Sequence, residues 1–244
     1  MAKRPNKAPF ADEHSIYSEI AKEAHIMIGG ATGSGKSVVE KGIIYNLVNN
    51  YTPDEVQLYF IDPKKVVLHR LALLPHVSGY ADTDESAMDI LNYLRITMDQ
   101  RNRWCQENDC ENYPGSAIYC FIDETADVIV RRGKEALRNF QLLLQMARSA
   151  NIHMVFCSQC VNRKLIPAEV QCNITCVVGL KCRKSIESRQ LVDSDACMKL
   201  PRYGKCVMIT PDGEEVRDVP MYEDIRFELM KDFWAGMSVK NLTA

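Results

Sequence analysis

Short, continuous apolar runs rich in β-branched residues recur along the chain, at residues 25–28, 56–61, 117–122, 152–157 and 174–180. Between them lie longer stretches with apolar residues at helical spacing, at residues 37–48, 84–103, 134–150 and 186–197. Apolar strands that alternate with helices are typical of a mostly parallel sheet covered by helices on both faces. The pattern therefore predicts an α/β fold.

The later part of the chain predicts a different connection. A Pro-Asp-Gly turn at residues 211–213 separates two strand-like segments, 206–209 and 215–219, and such turns join antiparallel strands. We expect an edge hairpin there. Residues 102–115 form the one long polar insertion and are predicted as a surface loop.

One α/β domain at residues 25–221 accounts for these elements. Residues 1–24 are predicted as a lead-in segment, and residues 222–244 as a terminal helix that packs on the domain. A length of 244 residues with 46% hydrophobic composition is sufficient for a single well-packed core.

Charge and hydropathy exclude some classes of protein. The formal net charge of −2 argues against a general polyanion binder, whose domain is usually basic. No stretch reaches the roughly 18 consecutive apolar residues of a membrane span, and the start of the chain lacks the apolar region of a signal peptide. We therefore expect a cytoplasmic protein.

Four of the ten cysteines, Cys157, Cys160, Cys172 and Cys176, have a spacing that could hold zinc. However, Cys157 ends one apolar run and Cys176 lies inside another. We favour reduced, buried thiols over a zinc site.

Residues 30–37 follow the first apolar run and open the first helical stretch, with the sequence Gly30-Ala31-Thr32-Gly33-Ser34-Gly35-Lys36-Ser37. Glycines let the backbone wrap closely around a phosphate, and N–H groups at the helix start point at it. Lys36 would reach the β- and γ-phosphates, and the Ser37 hydroxyl would bind Mg²⁺. The segment is predicted to be the phosphate loop of a nucleoside triphosphate site.

A second element is the apolar run 117–122, which delivers Asp123 and Glu124 at its end. Asp123 would hold the metal ion, and Glu124 would polarise the attacking water. Alone, such a pair could simply cap the following helix. After a phosphate loop it indicates nucleotide hydrolysis.

A third candidate is Gln159, at the end of the run 152–157. Its amide could sense the γ-phosphate or orient water, but a glutamine at a strand end is also a common turn residue. The pattern alone leaves both interpretations open.

Taken together, these motifs resemble the motor domain of the FtsK/SpoIIIE family of DNA translocases. The resemblance covers about residues 25–204. It is carried by residues 25–37, Phe60-Ile61-Asp62-Pro63-Lys64, Phe121-Ile122-Asp123-Glu124-Thr125-Ala126-Asp127, Ala147-Arg148-Ser149-Ala150-Asn151-Ile152-His153 and Ile186-Glu187-Ser188-Arg189.

The resemblance implies a RecA-like P-loop NTPase fold and a hexameric ring that uses ATP and Mg²⁺ to move double-stranded DNA through its centre. It also implies a role for Arg148, as the arginine that reaches the neighbouring subunit's nucleotide, and makes Gln159 the sensor glutamine. From the residues alone, Arg148 would be only a cation at a helix end.

This sequence departs from the family in several places. Cys160 and Val161 follow Gln159 where the family commonly has Arg-Pro, and Ser185 replaces a family lysine, with Lys184 one residue earlier. The resemblance also leads us to expect a motor without membrane helices or a winged-helix domain, which a separate membrane or DNA-reading partner could complete.

Basic residues cluster where the family has loops that face the pore: Arg131, Arg132 and Lys134, then Arg163 and Lys164. They could be DNA contacts or a solvated loop surface. In a ring each charge is repeated in every subunit, so a nearly neutral chain can still line a positive channel.

Three functions follow from the sequence. The first is an ATP-driven translocase of double-stranded DNA, of the kind that serves a plasmid, phage or conjugative element. The second is a protein-export or coupling ATPase of the same motor family, and the third is a nucleotide-gated scaffold.

Overall fold

The structure is a computed structural model, and it describes residues 15–159 and 171–221. Its strands form one sheet in the order β3-β2-β4-β5-β1-β6-β7-β8. The strands are β1 (His25–Gly29), β2 (Val56–Ile61), β3 (Val77–Ala81), β4 (Ala117–Ile122), β5 (Ile152–Ser158), β6 (Cys176–Gly179), β7 (Lys205–Thr210) and β8 (Gly213–Asp218). The pairings from β3 across to β6 are parallel, whereas β7 and β8 run antiparallel to their neighbours.

Helices cover both faces of the sheet. They are α1 (Ile16–Ala21), α2 (Lys36–Asn50), α3 (Asp84–Glu107), α4 (Thr125–Met146), α5 (Ser185–Val192) and α6 (Ala196–Lys199). One core cluster joins α1 and α2 to one face, and a second joins α3, α4, α5 and α6 to the other. The predicted α/β fold, with a mostly parallel sheet between helices, is confirmed.

The degree to which each strand is buried explains whether the sequence pattern identified it. Every residue of β1 is buried, and β4 and β5 are buried along almost their whole length, so these strands read as continuous apolar runs. The edge strand β3 was not predicted, because it is partly exposed and contains Ser78 and Gly79. The predicted edge hairpin is confirmed as β7 and β8, joined at Pro211 and Asp212.

Two helix boundaries differ from the prediction. Helix α3 continues to Glu107, so the first six residues of the predicted loop at 102–115 are helical. Helix α4 begins at Thr125 rather than residue 134, and it is kinked at Gly133, which has a left-handed φ of 54°. Glycine is rare inside a helix, and this Gly led the sequence prediction to start the helix too late.

The predicted lead-in segment also contains structure. Helix α1 buries Tyr17 and Ile20, and the carbonyl of Ala21 accepts a hydrogen bond of 2.7 Å from the Tyr119 hydroxyl. The described end of this segment is thus part of the domain core. The predicted helix at residues 222–244 lies outside the described residues. No helix in the described part of the chain combines the length and apolar character that a membrane crossing requires.

Candidate functional site

The predicted phosphate loop connects β1 to α2 at the carboxyl edge of the sheet. Gly30, Gly33 and Gly35 all have positive φ, at 153°, 73° and 102°. A Cβ on Gly30 would lie 2.7 Å from the Ser34 Oγ, too close for any side chain. Glycine is therefore favoured by conformation at all three positions and by space as well at Gly30.

Lys36 and Ser37 open α2 just behind this loop. The Lys36 Nζ donates hydrogen bonds to the carbonyl oxygens of Gly30 at 2.8 Å and Ala31 at 3.1 Å. Burial lowers the pKa of Lys36, and the nearby Glu124 opposes that shift. The Ser37 side chain is exposed at the first turn, where a hydroxyl can reach a metal ion or a phosphate.

Asp123 and Glu124 lie at the carboxyl end of β4, between strand and helix. Burial, together with the negative charges of Asp62 and Glu124, raises the pKa of Asp123 to about 6. Glu124 is only 7% exposed and adopts a left-handed backbone conformation, with φ 54° and ψ 59°. A non-glycine residue in this region costs on the order of 1 kcal/mol, and such strain clusters at functional sites.

Hydrogen bonds hold both oxygens of the Glu124 carboxylate. The Oε1 atom accepts from the backbone N–H of Gln159 at 3.2 Å and from the Ser158 hydroxyl at 3.5 Å. The Oε2 atom accepts from the Lys64 Nζ at 3.3 Å. The carboxylate is thus fixed between the ends of β5 and β2, the strands on either side of β4.

Gln159 lies between the two halves of the site, because β5 is inserted between β4 and β1 in the sheet. Its side-chain Oε1 accepts a hydrogen bond of 2.7 Å from the Thr32 hydroxyl in the phosphate loop. Gln159 therefore contacts the phosphate loop with its side chain and Glu124 with its backbone.

The residues present fit a magnesium ion. Mg²⁺ prefers oxygen ligands and is usually bound by one or two protein groups together with phosphate and water. The Ser37 hydroxyl, in the first turn of α2, and the Asp123 carboxylate, at the carboxyl end of β4, are of this kind. The neighbouring acids raise the pKa of Asp123, so a cation would be stabilised beside it.

Arg148 lies far from this edge. It follows α4 and precedes β5 (Ile152–Ser158), so it is at the amino edge of the sheet, and its side chain is exposed. The seven residues of β5 separate the two edges by roughly 20 Å. Arg148 therefore cannot reach the phosphate loop of its own chain.

The basic residues predicted on a loop after the acidic pair lie instead on α4. Arg131 is 3.5 Å from Asp84, and Arg132 is 2.9 Å from Glu85, both at the start of α3. Lys134 is exposed just after the kink. The loop placement was wrong because α4 begins directly at Thr125. Arg163 and Lys164 lie outside the described residues.

The cysteines considered for zinc are dispersed among different environments. Cys157 and Cys176 are buried in β5 and β6, whereas Cys172 is exposed. Cys160 lies outside the described residues. Burial raises the pKa of Cys157 well above its usual value and that of Cys176 to about 12, so both thiols stay protonated.

Sequence reasoning missed a buried acid beneath the site. Glu40 lies on α2 and is 1% exposed, and burial followed by the charge of Asp123 raises its pKa well above the usual range. It shares a hydrogen bond with Cys157. Because Glu40 follows Lys36 by one helical turn, helical spacing places it directly under the phosphate loop.

An apolar cavity beside the phosphate loop was also missed. Its volume is about 490 Å³, and its lining includes Gly35, Val38, Leu180, Tyr203, Val219 and Met221. These residues come from α2, the end of β6 and the segments flanking the hairpin, so no contiguous motif could reveal them. The volume is within the usual range of a small-molecule pocket.

Comparisons with known proteins agree with this geometry. The sequence model of the FtsK/SpoIIIE family matches residues 4–115. The DNA translocase FtsK of Treponema pallidum (strain Nichols) is 29% identical over 209 residues, which are 79% of this chain and 26% of that protein. The chain thus spans about a quarter of the length of the curated relatives it matches.

Solved structures share the fold. The cytoplasmic domain of the Thermomonospora curvata Type VII secretion ATPase EccC aligns with a TM-score of 0.70 and 19% identity, over 82% of this chain and 25% of that one. The pCW3 conjugation coupling protein TcpA, in its monomer form with ATPγS, aligns with a TM-score of 0.73 and 19% identity, over 85% and 63%. With the family match and the curated relatives, the resemblance carried by the motifs is confirmed: this chain is similar to the FtsK/SpoIIIE family of DNA translocases and has the fold of P-loop ATPases.

Proposed function

We propose that this chain is the motor subunit of a ring, most simply a hexamer, that hydrolyses ATP to translocate double-stranded DNA. The observation that carries the proposal is the convergence of the phosphate loop, Asp123, Glu124 and Gln159 at one edge of the sheet. Its relatives named DNA translocase FtsK support the choice of DNA as cargo. A cytoplasmic location fits this function, since ATP is available there.

Each residue near the phosphates has a chemical role in this proposal. Lys36 exchanges its bonds to the loop carbonyls for the β- and γ-phosphate oxygens, where its charge offsets theirs. Ser37 and Asp123 would hold Mg²⁺, which neutralises charge on the phosphates when bound. Glu124 orients the attacking water and accepts its proton, and Gln159 reports the state of the γ-phosphate to the phosphate loop through Thr32.

The apolar cavity is proposed to receive the adenine ring. It borders the phosphate loop at Gly35 and extends along the first turn of α2 at Val38, so a base placed there leaves its phosphates at the loop. Tyr203 is 59% exposed at its mouth and offers an aromatic face for stacking.

Arg148 makes the site depend on a second subunit. Since it lies at the opposite edge of the sheet, it can serve as an arginine finger only for a neighbouring chain. A head-to-tail arrangement that brings its amino edge to the neighbour's carboxyl edge is heterologous, and such contacts form a ring when the rotation between subunits closes. This supports a homo-oligomeric ring rather than an isolated subunit.

A protein-export ATPase is the second candidate. The fold is shared with the secretion ATPase EccC as well as with the conjugation coupling protein TcpA, and the same nucleotide residues would serve either cargo. A nucleotide-gated scaffold is the third, and slow turnover independent of any polymer would favour it.

The catalytic assignment is tested by Glu124→Gln, with Glu135→Gln, an exposed acid on the same helix, as the matched control. We expect the Glu124 variant to bind ATP with unchanged affinity in calorimetry while its phosphate release falls roughly 10²-fold or more, because the water loses its base. Lys36→Ala should weaken both binding and turnover. Parental turnover in the Glu124 variant would show that this carboxylate is not the base.

A further inference from the structure

The loop after β2 places a lysine directly on the carboxylate of Glu124. The Lys64 Nζ is 3.3 Å from the Glu124 Oε2 and 3.5 Å from the Asp127 Oδ2. Its side chain is 41% exposed, whereas that of Glu124 is 8% exposed. Burial opposes the charge of Lys64, but attraction to Glu124 and Asp127 outweighs it and raises the lysine pKa.

The backbone around Lys64 is held in place. The Lys65 N–H donates to the Asp62 carbonyl at 3.1 Å, which closes a turn with Pro63 and Lys64 in its centre. Proline before Lys64 restricts that turn further, since its φ is fixed. The backbone of Lys64 is therefore held within a closed turn.

Asp62 anchors the remainder of the loop. It is fully buried, and its Oδ2 accepts backbone N–H bonds from Val67 at 3.1 Å, Leu68 at 2.9 Å and His69 at 3.3 Å. A buried carboxylate that receives three backbone donors fixes the loop in one conformation. Asp62, Pro63 and Lys64 thus form a rigid turn, and the ammonium group of Lys64 contacts the Glu124 carboxylate.

Three strands then determine where the Glu124 carboxylate points. The backbone of Glu124 extends β4, its Oε1 is held by Gln159 and Ser158 at the end of β5, and its Oε2 is held by Lys64 after β2. A carboxylate has about four lone-pair sites, so these three donors leave one for a water molecule. Without Lys64, the Oε2 side would lose its restraint and the side chain could rotate away.

We propose that Lys64 is a positioning residue that aims the Glu124 carboxylate at the attacking water, an inference that rests on the proposed ATP hydrolysis. Lys64 acts through Glu124 and Asp127 rather than through the nucleotide. Its removal should therefore lower kcat and leave the affinity for ATP unchanged. A lysine that bound the phosphates would instead change both.

The test compares Lys64→Ala with Lys65→Ala in the full chain. Lys65 is the adjacent lysine and pairs with Asp82 at 2.8 Å, away from Glu124, so it controls for removal of a charge and an ion pair in the same loop. We expect Lys64→Ala to lower kcat roughly ten- to hundred-fold, the effect of a misplaced catalytic group, with KM for ATP unchanged. Lys64→Arg should recover part of the activity, and Lys65→Ala should match the parent.

A double variant distinguishes this inference from the proposed function. In a Glu124→Gln background, Lys64→Ala should cause little further decrease in kcat, since its target is already absent. If Glu124→Gln turns over normally, the proposed function fails. If Glu124→Gln is inactive while Lys64→Ala keeps the parental kcat, or hydrolyses faster, the positioning role alone is overturned. A rise in KM with kcat unchanged would also overturn it, by making Lys64 a nucleotide contact.

Discussion

The Thr32 hydroxyl donates a 2.7 Å hydrogen bond to the side-chain Oε1 of Gln159. This bond joins the phosphate loop to the end of β5, and the backbone N–H of the same glutamine donates to Glu124. One residue thus connects the proposed phosphate-binding segment to the carboxylate that we propose activates water. Under this proposal, a change at the γ-phosphate would reach Glu124 through these two hydrogen bonds and the backbone of Gln159.

The Thr32–Gln159 bond should be energetically coupled to catalysis. Gln159→Ala and Thr32→Val should each lower kcat by about tenfold, and the double variant should be little slower than either single one, because both remove the same interaction. Steady-state kinetics of the four proteins would measure this. Additive effects in the double variant would mean that the two residues act independently.

Arg148 should act on the neighbouring subunit's nucleotide. Arg148→Ala should bind ATP normally but hydrolyse it on the order of 10³-fold more slowly, because an arginine finger stabilises the transition state rather than the bound substrate. Mixing it with Glu124→Gln should restore partial activity, since some interfaces then pair an intact Glu124 with an intact Arg148. No recovery in rings shown to contain both variants would exclude this trans role.

The apolar cavity should determine base affinity. Tyr203→Ala should raise the Kd for ATP by about five- to tenfold, as expected when one aromatic stacking interaction of about 1 kcal/mol is removed, with kcat nearly unchanged. Val216→Ala is the control, since Val216 is an exposed apolar residue of the same hairpin that does not line the cavity. An unchanged Kd in the Tyr203 variant would place the base elsewhere.

The sequence predicted those parts of the candidate site that are formed by contiguous residues. The phosphate loop and the Asp123–Glu124 pair each lie where a strand ends and a helix begins. A short stretch of sequence is therefore enough to identify them. The contact of Lys64 with Glu124 depends on β2 and β4 being neighbours, and no local pattern specifies that pairing. Helix α4 was placed too late because Gly133 interrupts its helical pattern, and Arg131 and Arg132 were therefore placed on a loop.

The basic residues should contact DNA phosphates without reading bases. Replacing Arg131, Lys134, Arg163 and Lys164 by Ala should weaken DNA binding equally on unrelated duplexes and reduce the salt slope by about 0.9 for each phosphate that is no longer neutralised. Arg132 should contribute less than Arg131, because its side chain is less exposed and its contact with Glu85 is shorter, at 2.9 Å against 3.5 Å from Arg131 to Asp84. Lys205→Ala, which removes a charge from β7, the strand next to the edge strand β8, is the control. An unchanged salt slope would remove these residues from the channel.

The central claim is that duplex DNA is the cargo, and the rate of phosphate release with and without duplex DNA tests it most directly. Assembled rings should hydrolyse ATP several-fold faster with DNA of any sequence, and the stimulation should decline as salt rises because the contacts are electrostatic. Glu124→Gln rings should bind the DNA without hydrolysis. If assembled parental rings hydrolyse ATP at the same rate with and without duplex DNA, translocation of DNA is contradicted and the protein-export function takes its place.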